Sequence, residues 1–346
     1  MIFSEILINW YSINKRDMPW RLTKDPYRIW LSEIILQQTQ IKQGLPYYNA
    51  FLNAFPSVFE LAEATESEVL KLWQGLGYYS RARNLHATAK YIANDLEGVF
   101  PNTYKDLLKL KGVGDYTASA IASICFNEAT AVVDGNVYRV LARYFGITTP
   151  INTSKGNKEF KALAQELIDV KRPDEFNQAI MEFGAVQCKP QSPNCNMCPL
   201  QDGCVAFNAA TVNKLPVKNK TLKIKKRYFN FLVIISNEGK TIIEKREQKG
   251  IWQNLYQFPL IETNKNTDIV VFKELLNKHS LLKNRAFEFT LYNEGPIVHK
   301  LSHQHLHTRF WIVTIKELPV GGIPVAQIHD YAVPILIGKF IETFNF

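Results

Sequence analysis

The stretch Leu107–Ile121, LLKLKGVGDYTASAI, decides the fold of the first two thirds of the chain. It reads as a helix, a Gly112-Val113-Gly114 turn and a second, alanine-rich helix. The two glycines permit a tight turn that exposes backbone N–H groups beside a helix N-terminus, where a phosphate can be held without a basic side chain. The pattern predicts a helix-hairpin-helix that binds nucleic-acid phosphate; an isolated G-x-G would be an ordinary connection between helices.

Apolar residues at helical spacing surround this hairpin, so residues 1–213 are predicted to be all-α. The predicted helices are Trp30–Ile41, Ser67–Trp73, Ala82–Asp95, Tyr104–Leu110, Tyr116–Phe126, Asn136–Phe145, Lys158–Val170 and Phe176–Phe183. Residues 228–346 change to β-type runs with two helical stretches, which predicts an α+β domain. Its predicted strands are Tyr228–Ile235, Thr241–Glu244, Phe287–Tyr292 and Phe310–Ile315, and its helices Val271–Asn277 and Pro334–Phe344.

The chain has 346 residues, of which 46% are hydrophobic, enough for two or three domains with sizeable cores. No stretch approaches the roughly 18 uninterrupted apolar residues of a membrane span, and Glu5 would interrupt the apolar core of a signal peptide. We therefore expect no membrane partner and a cytoplasmic location, associated with the nucleoid in a bacterium.

The formal net charge of +9 is unevenly distributed. Residues 1–213 hold 21 Lys or Arg and 21 Asp or Glu, whereas residues 214–346 hold 20 and 11. Seven of the basic residues form a linker over residues 214–227: Lys214, Lys218, Lys220, Lys223, Lys225, Lys226 and Arg227. Such a run is either a solvated linker or a phosphate contact.

Four of the five cysteines form a C-x6-C-x2-C-x5-C cluster, and Cys125 stands apart in an apolar helical run. The cluster consists of Cys188, Cys195, Cys198 and Cys204. A disulfide framework belongs to small secreted domains, and zinc ribbons use evenly paired cysteines. The spacing favours a [4Fe–4S] cluster, with zinc as the alternative. Cys125 is interpreted as a core residue.

The hairpin followed by the cysteine cluster makes the chain resemble the endonuclease III superfamily of DNA glycosylases. Within it, four stretches resemble the adenine glycosylases of the MutY type: Pro19-Trp-Arg21, Trp30–Gln40 (WLSEIILQQTQ), Gly75–Arg81 (GLGYYSR) and Val133–Arg139 (VDGNVYR). The resemblance implies a six-helix barrel over about 21–134 and a helical cluster domain formed by about 1–20 and 135–213. It also implies double-stranded DNA with adenine opposite 8-oxoguanine or guanine as the partner, bound by a monomer.

The resemblance assigns the chemistry to two carboxylates. Release of adenine needs an acid at the base and negative charge beside the sugar, where an oxocarbenium ion develops. Glu33 is implied to protonate N7 and then to manage the water, and Asp134 to stabilise the cationic sugar, as in retaining glycosidases. Tyr116 and Asn136 are implied to orient these groups. Superfamily members that also nick the strand carry a lysine at the position of Tyr116, so a monofunctional enzyme is expected.

The residues alone allow simpler interpretations. Glu33, Gln37 and Gln40 recur at helical spacing and could form a solvated stripe. Asp134 precedes a predicted helix and could be its N-cap. Residues implied by the resemblance to line the base pocket are Trp20, Arg21, Leu36 and Glu182, and those implied to enter the duplex and contact 8-oxoguanine are Gln38, Leu76 and Tyr78. Trp20 and Leu36 could equally be core residues.

The C-terminal third resembles the Nudix-like domain with which this family recognises 8-oxoguanine. The resemblance rests on Gly250–Pro259 (GIWQNLYQFP) and on Leu301-Ser302-His303, which occupies the place of a Phe-Ser-His motif. Leu301 removes the aromatic ring, but Ser302 and His303 keep the hydrogen-bonding groups that could read the lesion. The nearby histidines His299, His305 and His307 are interpreted as surface residues rather than metal ligands.

Three other functions compete with an adenine glycosylase. A bifunctional lyase of the endonuclease III type would need an amine where the chain has Tyr116. A Nudix hydrolase would need the acidic box that binds magnesium, which residues 228–346 lack. A non-catalytic iron–sulfur protein that binds DNA would not need Glu33 and Asp134.

Overall fold

The computed structural model describes residues 2–219, 224–319 and 321–346. The chain divides into two compact units, one formed by Met1–Ala64 and Asn84–Lys220 and the other by Thr65–Arg83 and Thr221–Phe346. The segment Thr65–Arg83 thus belongs to the same unit as the C-terminal third. The boundaries predicted at residues 213 and 228 stay predictions. In the part of the chain that the structure describes, no helix is long and apolar enough to cross a membrane.

Helices make up the chain up to residue 219, and several begin at the caps that their sequences offer. Asp25 Oδ1 accepts the Tyr27 N–H at 2.9 Å, and Thr153 Oγ1 accepts the Gly156 N–H at 3.1 Å. The helices are α1 (Phe3–Asn14), α2 (Pro26–Leu36), α3 (Ile41–Ala54), α4 (Val58–Glu63), α5 (Glu66–Leu72), α6 (Ser80–Asp95), α7 (Tyr104–Leu107), α8 (Asp115–Phe126), α9 (Gly135–Phe145), α10 (Ser154–Leu167), α11 (Pro173–Val186) and α12 (Val205–Asn208), with 3₁₀ turns at Pro19–Arg21, Cys195–Met197 and Val212–Lys214.

Helix α8 occupies the centre of the first unit. Its residues from Thr117 to Ile124 are all buried, and it packs against α2, α7 and α11. Many of these residues are alanine or serine, so neighbouring helices can approach closely on every side. Helix α11 also packs against α1 and α9. The three elements that carry Glu33, Tyr116 and Asp134 therefore belong to one core.

The predicted all-α region is confirmed, but the helix predicted over Trp30–Ile41 was too long. Helix α2 ends at Leu36, where the Thr39 N–H bonds back to the Leu36 carbonyl at 3.1 Å. Gln38 takes a left-handed backbone conformation with φ 55°, and α3 begins at Ile41. The apolar spacing continued past the point where the chain turns. Helices α1, α3, α4 and the short α12 were not predicted.

The second unit is built around a sheet of seven strands, counted over the described residues, in the order β6-β8-β1-β2-β9 with β5 beside β1 and β7 beside β8. The two long central strands run parallel in register from Lys225↔Gln304 to Ser236↔Ile315, and the other pairs are antiparallel. The strands are β1 (Lys225–Ser236), β2 (Lys240–Thr241), β3 (Glu244–Lys245), β4 (Tyr256–Gln257), β5 (Leu260–Thr263), β6 (Phe287–Leu291), β7 (Ile297–Lys300), β8 (Gln304–Ile315) and β9 (Ile323–Pro324); β3 and β4 form a separate pair.

One helix covers each face of this sheet, because alternate strand residues point to opposite sides. Helix α13 (Ile269–Lys278) stacks Phe272 on Trp311 with ring centroids 4.0 Å apart. Helix α14 (Ile335–Thr343) stacks Phe340 on Phe310 at 4.1 Å. This confirms the predicted α+β fold. The last three residues of the predicted basic linker, Lys225 to Arg227, lie in β1, while Lys220 and Lys223 lie outside the described residues.

Candidate active site

The hairpin glycines of the first unit do two different things. Gly112 has φ 83°, and a Cβ there would lie 2.7 Å from the Asn84 Cβ, so both backbone and packing require glycine. A Cβ on Gly114 would meet open space. Gly114 is the N-cap of α8, and no described side chain caps the helix there. The first N–H groups of α8 are thus available to an anion.

Glu33 lies near the C-terminal end of α2, between buried Ser32 and Ile34. Its carboxyl group is set deep in the unit, yet part of the residue surface remains accessible. Burial raises its pKa from 4.5 to about 7, and the negative charge of Asp134 raises it as well, while a hydrogen bond with Tyr116 lowers it. At neutral pH a large fraction of Glu33 is therefore protonated and can act as an acid. The solvated-stripe interpretation is wrong, since Gln40 lies beyond the end of α2.

Asp134 is the N-cap of α9. Its Oδ1 accepts the N–H groups of Asn136 and Val137, both at 2.8 Å, and its Oδ2 accepts the Asn136 Nδ2–H at 2.8 Å. Burial raises the pKa of Asp134 above its usual value, and these three hydrogen bonds oppose that shift without cancelling it. They and the helix N-terminus favour the ionised form. The two carboxylates thus have environments that separate their roles, with Glu33 the better proton carrier and Asp134 the better anion.

Asn136 is held between Asp134 and a buried arginine that was not singled out from the sequence. Arg139 Nη2 donates to Asn136 Oδ1 at 2.8 Å and to the Gly184 carbonyl at 2.7 Å. Its Nε donates to the Cys188 carbonyl at 2.8 Å. Arg139 stands in the quoted stretch Val133–Arg139, where Asn136 is a local partner, but Gly184 and Cys188 lie 45 and 49 residues away, so spacing gave no sign of those contacts.

Tyr116, in the first turn of α8, interacts with Glu33 by a side-chain hydrogen bond. Its hydroxyl also lies 3.2 Å from Met181 Sδ. A carboxylate is a far stronger acceptor than a thioether, so the phenol proton goes to Glu33 when Glu33 is ionised. Burial raises the pKa of Tyr116 well above its usual value, so the phenol stays neutral. Beside it, Gln37 Nε2 donates to Thr117 Oγ1 at 3.2 Å.

A third buried carboxylate, Glu182 on α11, differs from Glu33 in that its pKa is lowered. Arg16 donates to it from Nε at 2.7 Å and from Nη2 at 2.8 Å, and Arg21 Nη2 donates at 2.7 Å. Burial would raise its pKa, but the two guanidinium groups prevail and lower it from 4.5 to about 2. Glu182 is therefore an anion at all physiological pH values. Arg16 was missed because it follows the end of α1 without a motif.

The other residues expected at the base pocket have mixed surroundings. Trp20 is 9% exposed, and its ring meets Tyr48 edge-on at 5.2 Å, so it contributes to the core as well. Leu36 ends α2 and is half-buried. Gln38, expected to enter the duplex, is exposed in the turn after α2, where its left-handed backbone directs the chain away from the helix.

The four clustered cysteines line one small cavity of about 30 Å³. All four thiols are free of disulfides, and the Arg143 guanidinium lies 3.4 Å from Cys188 Sγ. The pKa of Cys198 is raised to about 11, mainly by burial and also by the other three cysteines. Among the described residues, no group of three or more His, Cys, Asp or Glu side chains is arranged to hold a single metal ion.

The second unit contains a cavity of about 440 Å³ that joins residues far apart in sequence. Leu76 and Tyr78, from the turn between α5 and α6, line it together with Ser302 and His303, from the loop between β7 and β8. The hydroxyl groups of Tyr78 and Ser302 are 2.5 Å apart. Tyr78 is 51% exposed, whereas Leu76 is only 6% exposed. The cavity has the size of a small-ligand site.

Comparison with known proteins identifies the family. Residues 31–168 match the family described as HhH-GPD superfamily base excision DNA repair protein, and residues 230–343 match the NUDIX domain. The chain is 34% identical, over 99% of both chains, to the adenine DNA glycosylase of Buchnera aphidicola subsp. Schizaphis graminum. It is 36% identical to that of Buchnera aphidicola subsp. Baizongia pistaciae over 91% of this chain and 87% of the relative.

A solved structure supports the same fold for the helical part. A thermostable thymine-DNA glycosylase superposes with a TM-score of 0.56 and 31% identity, covering 60% of this chain and 95% of its own. The resemblance inferred from the sequence is confirmed. The chain belongs to the adenine DNA glycosylases of the MutY type, DNA repair enzymes that hydrolyse N-glycosyl bonds.

Proposed function

We propose that this chain excises adenine opposite 8-oxoguanine or guanine in duplex DNA and leaves an abasic site without cutting the strand. The observation that carries the chemistry is the pair formed by Glu33 and Asp134. Burial gives Glu33 a pKa near 7, and three hydrogen bonds favour the ionised form of Asp134. A proton donor and a fixed negative charge are the two groups that this reaction needs.

The reaction begins with transfer of the Glu33 proton to N7 of adenine. The bond between N9 and the sugar C1′ then breaks, its electron pair leaves with the adenine, and positive charge develops on the sugar. Asp134 faces this charge as an anion and stabilises it, either electrostatically or through a transient bond to C1′. Glu33, now ionised, accepts a proton from the water that adds to C1′, and the acid is restored.

Tyr116 supports both states of Glu33. When Glu33 is protonated, its O–H can donate to the phenol oxygen, while the Tyr116 proton has Met181 Sδ within 3.2 Å. When Glu33 is ionised, Tyr116 can donate to it instead. A phenol has no amine with which to form a Schiff base, so the position that carries the lyase lysine in bifunctional relatives supports simple hydrolysis here.

We assign recognition of the extruded adenine to Glu182, Arg21, Trp20 and Leu36. The Glu182 side chain is 1% exposed and already accepts four hydrogen bonds from Arg16 and Arg21, so it would serve the pocket by holding Arg21 in place. The hairpin of Gly112, Val113 and Gly114 would hold a backbone phosphate on the first N–H groups of α8. Gln38, exposed after α2, would contact the duplex beside the extruded base.

The four thiols of Cys188, Cys195, Cys198 and Cys204 are the donor set of a [4Fe–4S] cluster. In such a cluster each thiolate binds its own iron, so four thiols around a common cavity provide the ligands. The cluster, when bound, would close the loop after α11 and supply positive iron centres that lower the thiol pKa values. Arg143 on α9, at 3.4 Å from Cys188 Sγ, would offset part of the thiolate charge.

The cavity of the second unit is proposed to read the base opposite adenine. Ser302 and His303 offer hydrogen-bonding groups, and the Tyr78 ring offers a surface for stacking. 8-Oxoguanine differs from guanine by a carbonyl at C8 and a proton at N7. Two such polar groups can therefore distinguish 8-oxoguanine from guanine. Leu301 replaces an aromatic residue of the family motif, so Tyr78 would provide the ring on which the base stacks.

Strand scission after alkali on a panel of duplexes tests this function. The panel carries A:8-oxoG, A:G, A:C, A:T and thymine glycol, each labelled on the adenine- or lesion-containing strand. We expect breaks on A:8-oxoG and A:G that require alkali. Breaks without alkali would identify a lyase, breaks on thymine glycol an endonuclease III specificity, and binding without breaks a non-catalytic protein.

A further inference from the structure

Arg81 is a buried arginine beside the cavity of the second unit, and no step of the proposed reaction uses it. It lies in the first turn of α6 and is 9% exposed. Burial lowers the pKa of its guanidinium to about 10, so it still carries a positive charge at neutral pH. A buried charge is costly unless its surroundings compensate for it, so these surroundings are informative.

Two aromatic rings flank the Arg81 guanidinium. Its central carbon lies 5.1 Å from the centre of the Trp73 ring and 5.6 Å from that of Tyr78. Trp73 is fully buried, while Tyr78 extends into the cavity. Guanidinium groups bind the faces of such rings through cation–π attraction and planar stacking. Arg81 therefore connects the fixed Trp73 ring to the exposed Tyr78 ring.

The turn that carries Tyr78 needs such support. Three of its residues have left-handed backbones, with φ 102° at Gly75, 73° at Gly77 and 48° at Tyr78. A bulky residue rarely adopts this conformation unless neighbouring groups hold it. The Gly77 carbonyl accepts from Trp73 Nε1 at 3.0 Å and from Arg81 Nη2 at 3.3 Å, and the Arg81 N–H donates to the Tyr78 carbonyl at 2.9 Å.

The position of the Tyr78 ring sets the geometry of the groups that would read the lesion. The Tyr78 hydroxyl lies 2.5 Å from Ser302 Oγ, so a shift of the ring moves a hydrogen-bonding partner of Ser302. With Arg81 near one face of the ring, the opposite face can receive a base. An unsupported ring would sample several rotamers, because half of it is exposed.

We propose that Arg81 is a positioning residue, which holds the Tyr78 ring in the cavity and thereby sets the preference for adenine opposite 8-oxoguanine over adenine opposite guanine. The inference rests on the proposed function of this cavity. It concerns the ratio of two excision rates rather than the chemical step, since the proposed acid and carboxylate are Glu33 and Asp134. Lysine would keep the charge but not the planar guanidinium that contacts both rings.

The test measures single-turnover excision on A:8-oxoG and A:G duplexes for five proteins: wild type, Arg81→Lys, Arg81→Gln, Tyr78→Leu and the Arg81→Gln/Tyr78→Leu double variant. We expect Arg81→Gln to reduce the rate ratio roughly three- to thirtyfold and Arg81→Lys to reduce it less. In the Tyr78→Leu background, Arg81→Gln should change the ratio less than twofold, because the ring through which it acts is gone.

Arg227→Gln is the matched control. Arg227 also lies over an aromatic ring, 4.7 Å from the centre of Phe229, and pairs with Glu262 at 2.7 Å, but it does not line the cavity. Its loss should leave the rate ratio unchanged. Thermal unfolding of each variant identifies any that fails to fold, in which case Arg81→Lys, the more conservative change, carries the comparison.

Two results would overturn the inference in distinguishable ways. If Arg81→Gln lowers both rates equally, or if the effects of Arg81→Gln and Tyr78→Leu on the ratio add, Arg81 supports the fold without acting through Tyr78. If Tyr78→Leu itself leaves the ratio unchanged, the cavity does not read the opposite base, and the lesion-reading part of the proposed function fails together with the inference.

Discussion

The two proposed sites solve different physical problems. Around Glu33 and Asp134, burial and hydrogen bonds change proton affinities, which requires a packed helical core. Ser302 and His303 are both exposed, so their side chains can form hydrogen bonds with an incoming base. Chemistry needs a shifted pKa and recognition needs accessible donors and acceptors. Changes in the first site should therefore cost far more activity than changes in the second.

The largest expected effect is that of Glu33→Gln. The amide fills the same space but cannot protonate N7, so adenine release should fall by roughly 10²- to 10⁴-fold while duplex affinity changes only a few-fold. Single-turnover excision and gel-shift titration measure the two quantities. Glu60→Gln is the control, since Glu60 is an exposed residue that caps α4.

The pH dependence sharpens this prediction. A raised pKa means that Glu33 loses its proton as the pH rises through about 7, so wild-type excision should fall about tenfold per pH unit above that value. Glu33→Gln should lack this descending limb. Residual activity above about a hundredth of wild type, or a wild-type rate that is flat to pH 9, would remove Glu33 from the acid role.

The next largest effect is expected for Cys198→Ser. Without one thiolate, the proposed cluster should be lost, together with its brown absorption and most of the DNA affinity, because the loop that it closes would unfold. Cys125→Ala should keep the colour, since Cys125 lies outside the cluster and burial raises its thiol pKa to about 12. Stoichiometric zinc without iron in anaerobically purified wild type would contradict the assignment.

Part of the active site was accessible from sequence, and part was not. The cysteine spacing and the hairpin are local patterns, so their chemistry follows from neighbouring residues. Asp134 shows how two interpretations can coexist, because it is the N-cap expected from spacing and also the proposed anion. Spacing was misleading for Glu33, whose apparent polar stripe ends where α2 stops at Leu36.

Contacts between distant segments could not be predicted from the sequence. The partners of Glu182 are 166 and 161 residues away, and nothing local predicts that two guanidinium groups lower its pKa to about 2. The sequence likewise does not predict that Thr65–Arg83 forms one unit with the C-terminal third. Arg81 stood in a quoted motif, but its position between Trp73 and Tyr78 appears only once the turn has folded.

Replacing both Ser302 and His303 by alanine tests the proposed recognition of 8-oxoguanine. Two lost hydrogen bonds at about 0.5 to 1.5 kcal/mol each predict roughly five- to a hundredfold less preference for A:8-oxoG over A:G. The rate on A:G should hardly change. His305→Ala, in β8 and outside the cavity lining, is the control. Equal losses on both mispairs would mean that these residues supply general affinity.

The smallest effect concerns the hairpin, where an acidic residue stands beside the expected phosphate. Asp115 is the first residue of α8, and its carboxylate is 3.0 Å from Lys161 Nζ and 2.5 Å from the Tyr104 hydroxyl. Lys161 also donates to Ser119 Oγ at 2.9 Å and to the Ala131 carbonyl at 2.7 Å. A carboxylate at this helix end would repel a phosphate unless its charge is offset.

Lys161→Met should therefore weaken duplex binding by roughly two- to fivefold, a small factor because both charges are partly exposed and screened by salt. Asp115→Asn should restore the affinity in the Lys161→Met background, since it removes the charge that Lys161 offsets. Binding titrations at several salt concentrations measure both effects, and the gap between the variants should narrow as salt rises. If Asp115→Asn fails to rescue Lys161→Met, the loss comes from the broken bonds to Ser119 and Ala131, and the hairpin tolerates its acidic neighbour without help.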